Sequence, residues 1–227
     1  MTHLLVKGTK FHVVELNPEG TRTIIMLHGL FANTSFYLFS VAPKLAKRYR
    51  VVLYDMRSHG MSERRDEGYS LEILSDDLLA LMHELNIDRT CLVGHSYGGS
   101  VSLYTALRHP DKVERLALIE ALSLQESEPA PLKAGGSAAS DFLENEVEEH
   151  MRSLRFPVPE SRIMKMRAQI REQYRVLSEN NLLKKAFSES RVFLDETPLE
   201  HLVVPTLLLY GNTSPCLETG RLFAARI

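Results

Sequence analysis

The stretch Cys91-Leu92-Val93-Gly94-His95-Ser96-Tyr97-Gly98-Gly99 joins an apolar run to a serine with a glycine two residues away on either side. The run predicts a buried strand over 90–93, and the residues that follow predict a helix over 96–108 that ends before Pro110. A strand that turns directly into a helix is typical of a parallel sheet. This stretch therefore favours an α/β protein.

The turn at Ser96 must be very tight, because the strand ends and the helix begins at the same residue. Such a turn leaves almost no room for side chains two residues before and after the serine, a condition that Gly94 and Gly98 meet. It would hold the serine hydroxyl at the positive end of a helix, where a developing oxyanion is stabilised. Ser96 is the candidate nucleophile, and a glycine-rich turn without chemistry is the alternative.

Runs elsewhere in the chain extend the predicted sheet. The segments 23–27 and 50–54 are short, almost wholly apolar and rich in β-branched residues, as expected for parallel strands covered on both faces, and 113–119 predicts another strand. Between them, Ser70 can cap an amphipathic helix that continues to Leu85. Strands and helices alternate, which predicts a mostly parallel sheet.

Further elements are expected at the two ends of this sheet. Residues 4–6 and 11–16 read as a hairpin, and 40–48 as a short helix. A late apolar run, 205–210, predicts another strand, followed by a helix from about Leu217.

A helical insertion divides the predicted sheet. We expect a first part of the core at 1–122, a helical cap at 123–196 and an incomplete second part of the core at 197–227. The insertion contains helical stretches around 138–152 and 160–190, without an apolar strand between them. Four of its apolar residues are candidates either to line a pocket or to form the cap's own core: Leu154, Phe156, Met164 and Met166.

Composition excludes several classes of function. The 27 Lys and Arg balance 29 Asp and Glu, which gives no electrostatic reason to expect nucleic acid or a membrane as partner. The short apolar run at the start does not resemble a secretory leader, so we expect a cytoplasmic protein. Cys91 and Cys216 lack the spacing of a redox or zinc motif, and no nucleotide-binding motif is present. No metal or cofactor is expected.

A second motif supplies candidate hydrogen-bond donors for an oxyanion. The strand 23–27 leads into His28-Gly29-Leu30, where Gly29 allows an unusual turn that can direct the Leu30 amide towards the site. The Phe31 amide is a less favoured choice, and the other donor would be the amide of Tyr97, directly after the nucleophile. A plain turn at the end of a strand is the alternative.

These motifs together resemble the α/β-hydrolase superfamily, and the resemblance covers nearly the whole chain. It rests on His28-Gly29-Leu30, on the elbow around Ser96, on the late strand and on Asp55-Met56-Arg57-Ser58-His59-Gly60-Met61-Ser62. The last segment is similar to the family turn Asp-x-Arg-Gly-x-Gly-x-Ser, with Ser58 in place of a glycine. By this resemblance, Asp55, Arg57 and His59 belong to the scaffold beside the site, and the fold is a sheet of α/β-hydrolase type with a helical cap, lacking its C-terminal part.

The family's usual acid is absent from its expected place. It follows the late strand in a Gly-x-x-Asp turn, but the chain has Gly211-Asn212-Thr213-Ser214 there. Some relatives place the acid after the preceding strand, where this chain has Glu120. The passage resembles one branch of the haloalkane dehalogenases, although those enzymes use an aspartate nucleophile. Glu120 is the candidate acid, and a polar residue at a strand end without a catalytic role is the alternative.

The family's order also requires a histidine after the acid. None of the nine histidines follows the last predicted helix; His28, His59 and His95 lie in turn motifs, and His150 and His201 are minor candidates. We expect the normal chain to continue past Ile227 with a strand and this histidine, because the late strand would otherwise be a bare apolar edge. Pairing of two copies through that edge, giving a homodimer, is the alternative.

The predicted function follows from this set of residues. We expect a serine hydrolase of the esterase or thioesterase type that cleaves a small acyl substrate through an acyl-Ser96 intermediate. Without the histidine, these 227 residues alone should be nearly inactive, retaining about 10³- to 10⁴-fold acceleration over water. Two alternatives stay open: other chemistry on the same fold, such as carbon–carbon hydrolysis or cofactor-free oxygenation, and a ligand-binding or interaction protein that lost catalysis.

Overall fold

The computed structural model describes residues 2–65, 68–121, 136–153, 157–179, 199–214 and 216–227. In these ranges the strands are β1 Thr2–Val6, β2 Thr9–Leu16, β3 Thr23–Leu27, β4 Arg50–Tyr54, β5 Thr90–His95, β6 Val113–Ile119 and β7 Thr206–Leu209. The α-helices are α1 Ser35–Leu38, α2 Ala42–Leu45, α3 Leu71–Glu84, α4 Tyr97–Arg108, α5 Gly136–Ser153, α6 Glu160–Glu179 and α7 Leu217–Arg226. Short 3₁₀ turns occupy Pro110–Lys112 and Leu199–His201.

All seven strands form one sheet in the order β1-β2-β4-β3-β5-β6-β7. The pairs β1–β2 and β2–β4 are antiparallel, and every other pair is parallel. The predicted mostly parallel α/β sheet is confirmed. Strand β5, which precedes Ser96, lies between β3 and β6, so the loops after all three strands meet at one edge of the sheet.

Helices cover both faces of the sheet. On one face, α3 and α4 bury the apolar side chains that the amphipathic pattern predicts, including Leu74, Leu78 and Val101. The Ser70 hydroxyl accepts a hydrogen bond from the Ile73 amide, so α3 begins with the expected cap. The opposite face packs against α1 and α2.

The short helix expected over 40–48 is present in a shorter form, as α2 Ala42–Leu45. Pro43 lies in the first turn of α2, where an amide hydrogen would have no partner within the helix. A further short helix that the sequence did not predict, α1, precedes it and ends at Leu38. The Ser40 hydroxyl donates to the carbonyl oxygen of Phe36 at 2.8 Å and so helps to end α1.

Helices α5 and α6, which lie between β6 and β7 along the chain, are joined to each other through a buried carboxylate. The Glu144 side chain is fully buried and accepts hydrogen bonds from Arg171 at 2.7 and 2.9 Å, from Arg167 at 3.3 Å and from Ser140 at 3.1 Å. The Arg171 guanidinium, followed by the other donors, holds the pKa of Glu144 below its usual value. A buried charge with several partners fixes how the two helices pack.

The four apolar residues that are candidates for a pocket or for the core of the predicted cap differ in what the structure shows of them. Met164 is 65% exposed and Met166 is half-buried, so Met164 is not part of a buried core. Leu154 and Phe156 lie outside the described residues. Helix α6 instead buries Ile163 and Ile170.

Strand β7 is the last strand at its side of the described sheet. Its burial alternates, and Leu207 and Leu209 are 56% and 45% exposed. Within the described ranges, no helix has both the length and the apolar character that crossing a membrane requires.

Candidate active site

Ser96 occupies a sharp turn between β5 and α4. Its backbone lies at φ 51° and ψ −122°, a conformation that a residue with a side chain adopts at an energetic cost. Ser96 thus precedes the helix, which begins at Tyr97 and not at the predicted residue 96. The Ser96 amide donates to the Ile119 carbonyl at 2.9 Å, which ties the turn to β6. The serine is partly exposed at the carboxyl edge of the sheet.

Glycines allow this turn to close. A β-carbon on Gly94 would lie 2.3 Å from the carbonyl oxygen of Gly98. One on Gly98 would lie 2.4 Å from the His28 carbonyl oxygen. Both distances are impossible contacts, so the two glycines are required because backbone segments touch at these places.

The loop after β3 faces Ser96 across a small gap. A β-carbon on Gly29 would lie 3.1 Å from Cβ of Ser96, so a side chain at this position would crowd the serine. Two residues on, Phe31 has φ 64°, which reverses the chain, and the Ala32 amide donates to the Gly29 carbonyl at 3.2 Å. Among the described residues, none accepts a hydrogen bond from the Leu30 amide.

His28 holds this loop and has a defined tautomer. Its Nε2 accepts a hydrogen bond from the Met56 amide at 3.0 Å, so the ring proton lies on Nδ1, which donates to the Gly29 carbonyl at 2.7 Å. Burial lowers the pKa of His28 and keeps the ring neutral. With both nitrogens occupied, His28 acts as a brace between two loops.

Asp55 makes a second connection between the same loops. One carboxylate oxygen accepts from the Thr34 amide at 2.6 Å, and the other accepts from the Met61 amide and from Nδ1 of His12, each at 2.9 Å. A β-carbon on Gly60 would lie 2.1 Å from this carboxylate. Asp55 therefore fixes the start of α1 relative to the turn after β4.

Ser58, which stands where the similar family turn has a glycine, adopts a backbone conformation that glycine favours. Its φ of 60° lies in the left-handed region that glycine favours. The Ser58 hydroxyl accepts from the Arg65 amide at 2.7 Å and donates to the Arg65 carbonyl at 3.0 Å, which helps to offset the cost of this conformation.

His59 and Arg57 complete the scaffold. Nδ1 of His59 donates to the Arg57 carbonyl at 2.9 Å, and burial beside the His28 ring lowers the pKa of His59 to about 3. Arg57 makes two 2.7 Å hydrogen bonds to the buried Asp77 of α3. Burial nevertheless raises the pKa of Asp77 above its usual value.

Glu120 directly follows β6, and its carboxylate is held by the loop that follows β7. The Gly211 amide donates to Oε1 at 2.7 Å, and the Ser214 hydroxyl donates to Oε2. The backbone of Glu120 has φ 49°, and its amide donates to the Leu209 carbonyl at 3.0 Å. Sequence reasoning identified Glu120 but treated Ser214 only as a missing aspartate. No sequence signal joins the two, because 94 positions separate them.

The other described histidines lie elsewhere. The His95 ring stacks on Phe36, with centroids 4.6 Å apart, and His83 and His109 end α3 and α4 at the opposite edge of the sheet. His201 lies in the exposed turn before β7. In the described part of the chain, no histidine forms a hydrogen bond with Ser96 or Glu120.

Helix α6 touches the loop that follows β3 and the residue that follows α1. The rings of Tyr174 and Phe31 have centroids 6.0 Å apart, and the Arg162 guanidinium lies 5.9 Å from the ring centre of Phe39. An exposed ion pair of 3.8 Å joins Arg64 to Glu172. The sequence contained no signal for these contacts.

Comparison with known proteins identifies the family. A profile described as the alpha/beta hydrolase fold matches residues 22–218. Because the match covers most of the chain, the protein belongs to the alpha/beta hydrolase fold family. The resemblance drawn from the sequence motifs is confirmed.

Individual relatives share a part of their length with the chain. It is 36% identical over 118 residues to a putative carbamate hydrolase of Caulobacter sp. (strain K31), which covers 50% of this chain and 42% of that protein. It is 41% identical over 99 residues to a 2-hydroxymuconate semialdehyde hydrolase of Pseudomonas sp. (strain CF600), covering 42% and 35%. The chain thus matches about two fifths of the length of these curated relatives.

A solved structure extends the likeness to the whole chain. A hydrolase from Pseudomonas aeruginosa PA01 superposes with a TM-score of 0.76 at 22% identity, covering 100% of this chain and 86% of the other. At this level of identity the likeness concerns the fold.

Proposed function

We propose that the protein is a serine hydrolase that cleaves a carboxylic ester or thioester of a small acyl substrate through an acyl-Ser96 intermediate. The observation that carries the proposal is the strained backbone of Ser96, which is partly exposed where the carboxyl ends of β3, β5 and β6 meet. Strain of this kind is retained at functional sites, where it holds a reactive group in place.

The backbone around Ser96 supports an oxyanion hole. Tyr97 begins α4, so its amide lies in the first turn of a helix, at the positive end of the helix dipole. The Leu30 amide belongs to the loop whose Gly29 faces the serine at close range. We assign these two amides to the oxygen that becomes negative when the nucleophile adds to a carbonyl.

The proposed reaction has two halves. The Ser96 oxygen adds to the substrate carbonyl while a base takes the hydroxyl proton, and the carbonyl oxygen becomes an oxyanion held by the two amides. The oxyanion collapses, the carbon–oxygen or carbon–sulfur bond breaks, and the alcohol or thiol leaves with the proton returned by the base. Water then adds to the acyl-serine in the same manner, which releases the acid and restores Ser96.

The base in this scheme is a histidine oriented by Glu120. We assign it to a histidine other than those whose rings the structure describes. His28 and His59 are buried, and their Nδ1 atoms donate to backbone carbonyls. His12 is buried in a pair with Asp55. Glu120 supports the scheme because its carboxylate already has backbone and hydroxyl donors.

A panel of p-nitrophenyl esters and thioesters of increasing acyl length tests this function with the full-length protein. We expect hydrolysis at one or more lengths, and a loss of about 10³-fold or more in kcat for Ser96→Ala. Ser40→Ala removes the hydroxyl of an exposed serine just after α1 and serves as the matched control. Hydrolysis that persists in Ser96→Ala at the original rate would overturn the proposal.

A second candidate is cleavage of a carbon–carbon bond in a substrate related to 2-hydroxymuconate semialdehyde. It is favoured by the 41% identity over 99 residues to the Pseudomonas hydrolase of that name. Product analysis with this semialdehyde and with esters separates the two reactions. Absence of turnover on both, with ligand binding retained, would instead favour a binding protein.

A further inference from the structure

Ser214 stands where most members of the family would carry an aspartate, yet its hydroxyl reaches the carboxylate of Glu120. The direction of this hydrogen bond is fixed by its neighbours. The Ser214 oxygen accepts a hydrogen bond from the Cys216 amide at 3.0 Å, and the Glu120 carboxylate can only accept. The hydroxyl hydrogen therefore points at Oε2 of Glu120.

The loop after β7 donates to both oxygens of this carboxylate. The Gly211 amide binds Oε1 and the Ser214 hydroxyl binds Oε2. The loop keeps its own shape through the Ser214 amide, which donates to the Gly211 carbonyl at 3.1 Å. An ionised carboxylate has about four acceptor positions, so two remain for the N–H of a histidine.

We propose that Ser214 is a positioning residue that orients and stabilises the Glu120 carboxylate, and that residues 120 and 214 are interchangeable sources of a single negative charge. The proposal rests on the serine hydrolase function. Under this proposal Ser214 is not merely the site of a missing acid, because its hydroxyl supports Glu120, the acid that acts in its place. A hydrogen bond from a hydroxyl to a charged oxygen is among the stronger ones, so its loss should be measurable.

The physical reason for the interchange is the contact itself. The side chain at 214 reaches Oε2 of Glu120, so a carboxylate at 214 would place its charge close to the same point. Two carboxylates there would repel each other, and one of them would take up a proton. An aspartate at 214 should therefore be harmful beside Glu120 and helpful when residue 120 is neutral.

The experiment measures kcat and KM on the preferred ester in the full-length protein for five variants. We expect Glu120→Gln to lower kcat about 10³-fold or more and Ser214→Ala to lower it ~10- to 100-fold with little change in KM. Ser214→Thr, which keeps a hydroxyl, should recover most of the Ser214→Ala loss. Ser214→Asp alone should also be impaired, whereas Glu120→Gln combined with Ser214→Asp should exceed Glu120→Gln at least tenfold.

The matched control is Thr206→Ala, which removes a hydroxyl that bonds to the Val204 carbonyl at the other end of β7. Its kcat should not change.

A structural role of Ser214 alone would produce no gain in kcat when Ser214→Asp is added to Glu120→Gln. The inference is overturned if Ser214→Ala keeps the original kcat, or if the double variant gains nothing over Glu120→Gln while folding normally. Ser96→Ala distinguishes the two levels: if it stays active, the proposed function fails, and if it is inactive while Glu120→Gln is fully active, only the inference about residues 120 and 214 fails.

Discussion

Nε2 of His28 accepts a hydrogen bond from the backbone amide of Met56 at 3.0 Å, and this one contact joins the loop in front of Ser96 to the turn after β4. The same ring donates from Nδ1 to the Gly29 carbonyl, so its proton is not free to move to a substrate. A histidine close to a candidate nucleophile is here a structural brace.

Replacing His28 by leucine should therefore destabilise the fold without removing a titrating base. The substitution leaves the buried Met56 amide without an acceptor, and we expect the free energy of unfolding in urea to fall by about 1 to 3 kcal/mol. His83→Leu, at a ring that is 87% exposed, should change it by less than about 0.5 kcal/mol. If His28→Leu removed a limb of the pH profile of kcat/KM, the brace interpretation would be wrong.

Gly94→Ala should prevent the turn at Ser96 from closing. Its β-carbon would lie 2.3 Å from the Gly98 carbonyl oxygen, and we expect a loss of about 3 kcal/mol or more, or no folded protein. Gly8→Ala is the matched control, because Gly8 has φ 77° but nothing within 4 Å of an added β-carbon. That control should cost about 1 to 2 kcal/mol. Equal losses would contradict the close backbone contact.

Stability should fall on mild acidification because of His59. Its pKa is about 3 in the folded protein and near the ordinary 6.5 when unfolded, so between these values the unfolded chain binds the additional proton. The contribution is complete above about pH 6.5 and is lost as the pH falls towards 3, with a slope of up to about 1.4 kcal/mol per pH unit.

Urea unfolding between pH 7 and pH 5 measures this slope. His59→Asn retains an N–H group to donate to the Arg57 carbonyl but cannot take up a proton, so its slope should be shallower, by up to about one proton near pH 5. His83→Asn, at an exposed ring, should leave the slope unchanged. Parallel slopes for His59→Asn and the original protein would contradict the low pKa.

The contact between Tyr174 and Phe31 should affect catalysis more than binding. Phe31 has φ 64°, a backbone conformation that costs a non-glycine residue about 1 to 2 kcal/mol. An aromatic pair such as Tyr174 with Phe31 contributes about 0.5 to 1.5 kcal/mol of stabilisation, which offsets part of this cost and helps to hold the loop in place. Tyr174→Ala should then lower kcat by about three- to tenfold at constant KM, whereas Tyr174→Phe keeps the ring and most of the rate.

Arg162→Ala provides the comparison, since it removes a contact between α6 and Phe39, which follows α1 and lies outside the turn at Phe31. Its kcat should stay close to the original. A rise in KM that depends on acyl length, with kcat unchanged in Tyr174→Ala, would instead show that Tyr174 lines the substrate pocket.

Local steric rules explain which features the sequence could predict. The pattern Gly94-x-Ser96-x-Gly98 predicts a tight turn, because each glycine lies where a side chain would collide with backbone a few residues away or at the end of a neighbouring strand. The buried strands can be predicted from their apolar runs, because strands that are covered on both faces need apolar side chains. The helix expected over 40–48 is present but shorter, and Pro43 is accommodated in its first turn.

Contacts between distant segments explain the rest. Ser214 meets Glu120 only because β6 and β7 pair in parallel, which brings the residues after both strands together. The left-handed conformation of Phe31 is disfavoured for its residue type, and the packed loop around it imposes that conformation. Neither feature has a signature within a short window of sequence.

The central claim is that Ser96 is an activated nucleophile, and covalent labelling tests it most directly. The full-length protein is treated with a fluorophosphonate, its intact mass is measured, and the modified peptide is sequenced. We predict a single adduct on Ser96, absent in Ser96→Ala and unchanged in Ser40→Ala. An unmodified Ser96, together with ester hydrolysis that survives in Ser96→Ala, would contradict the account.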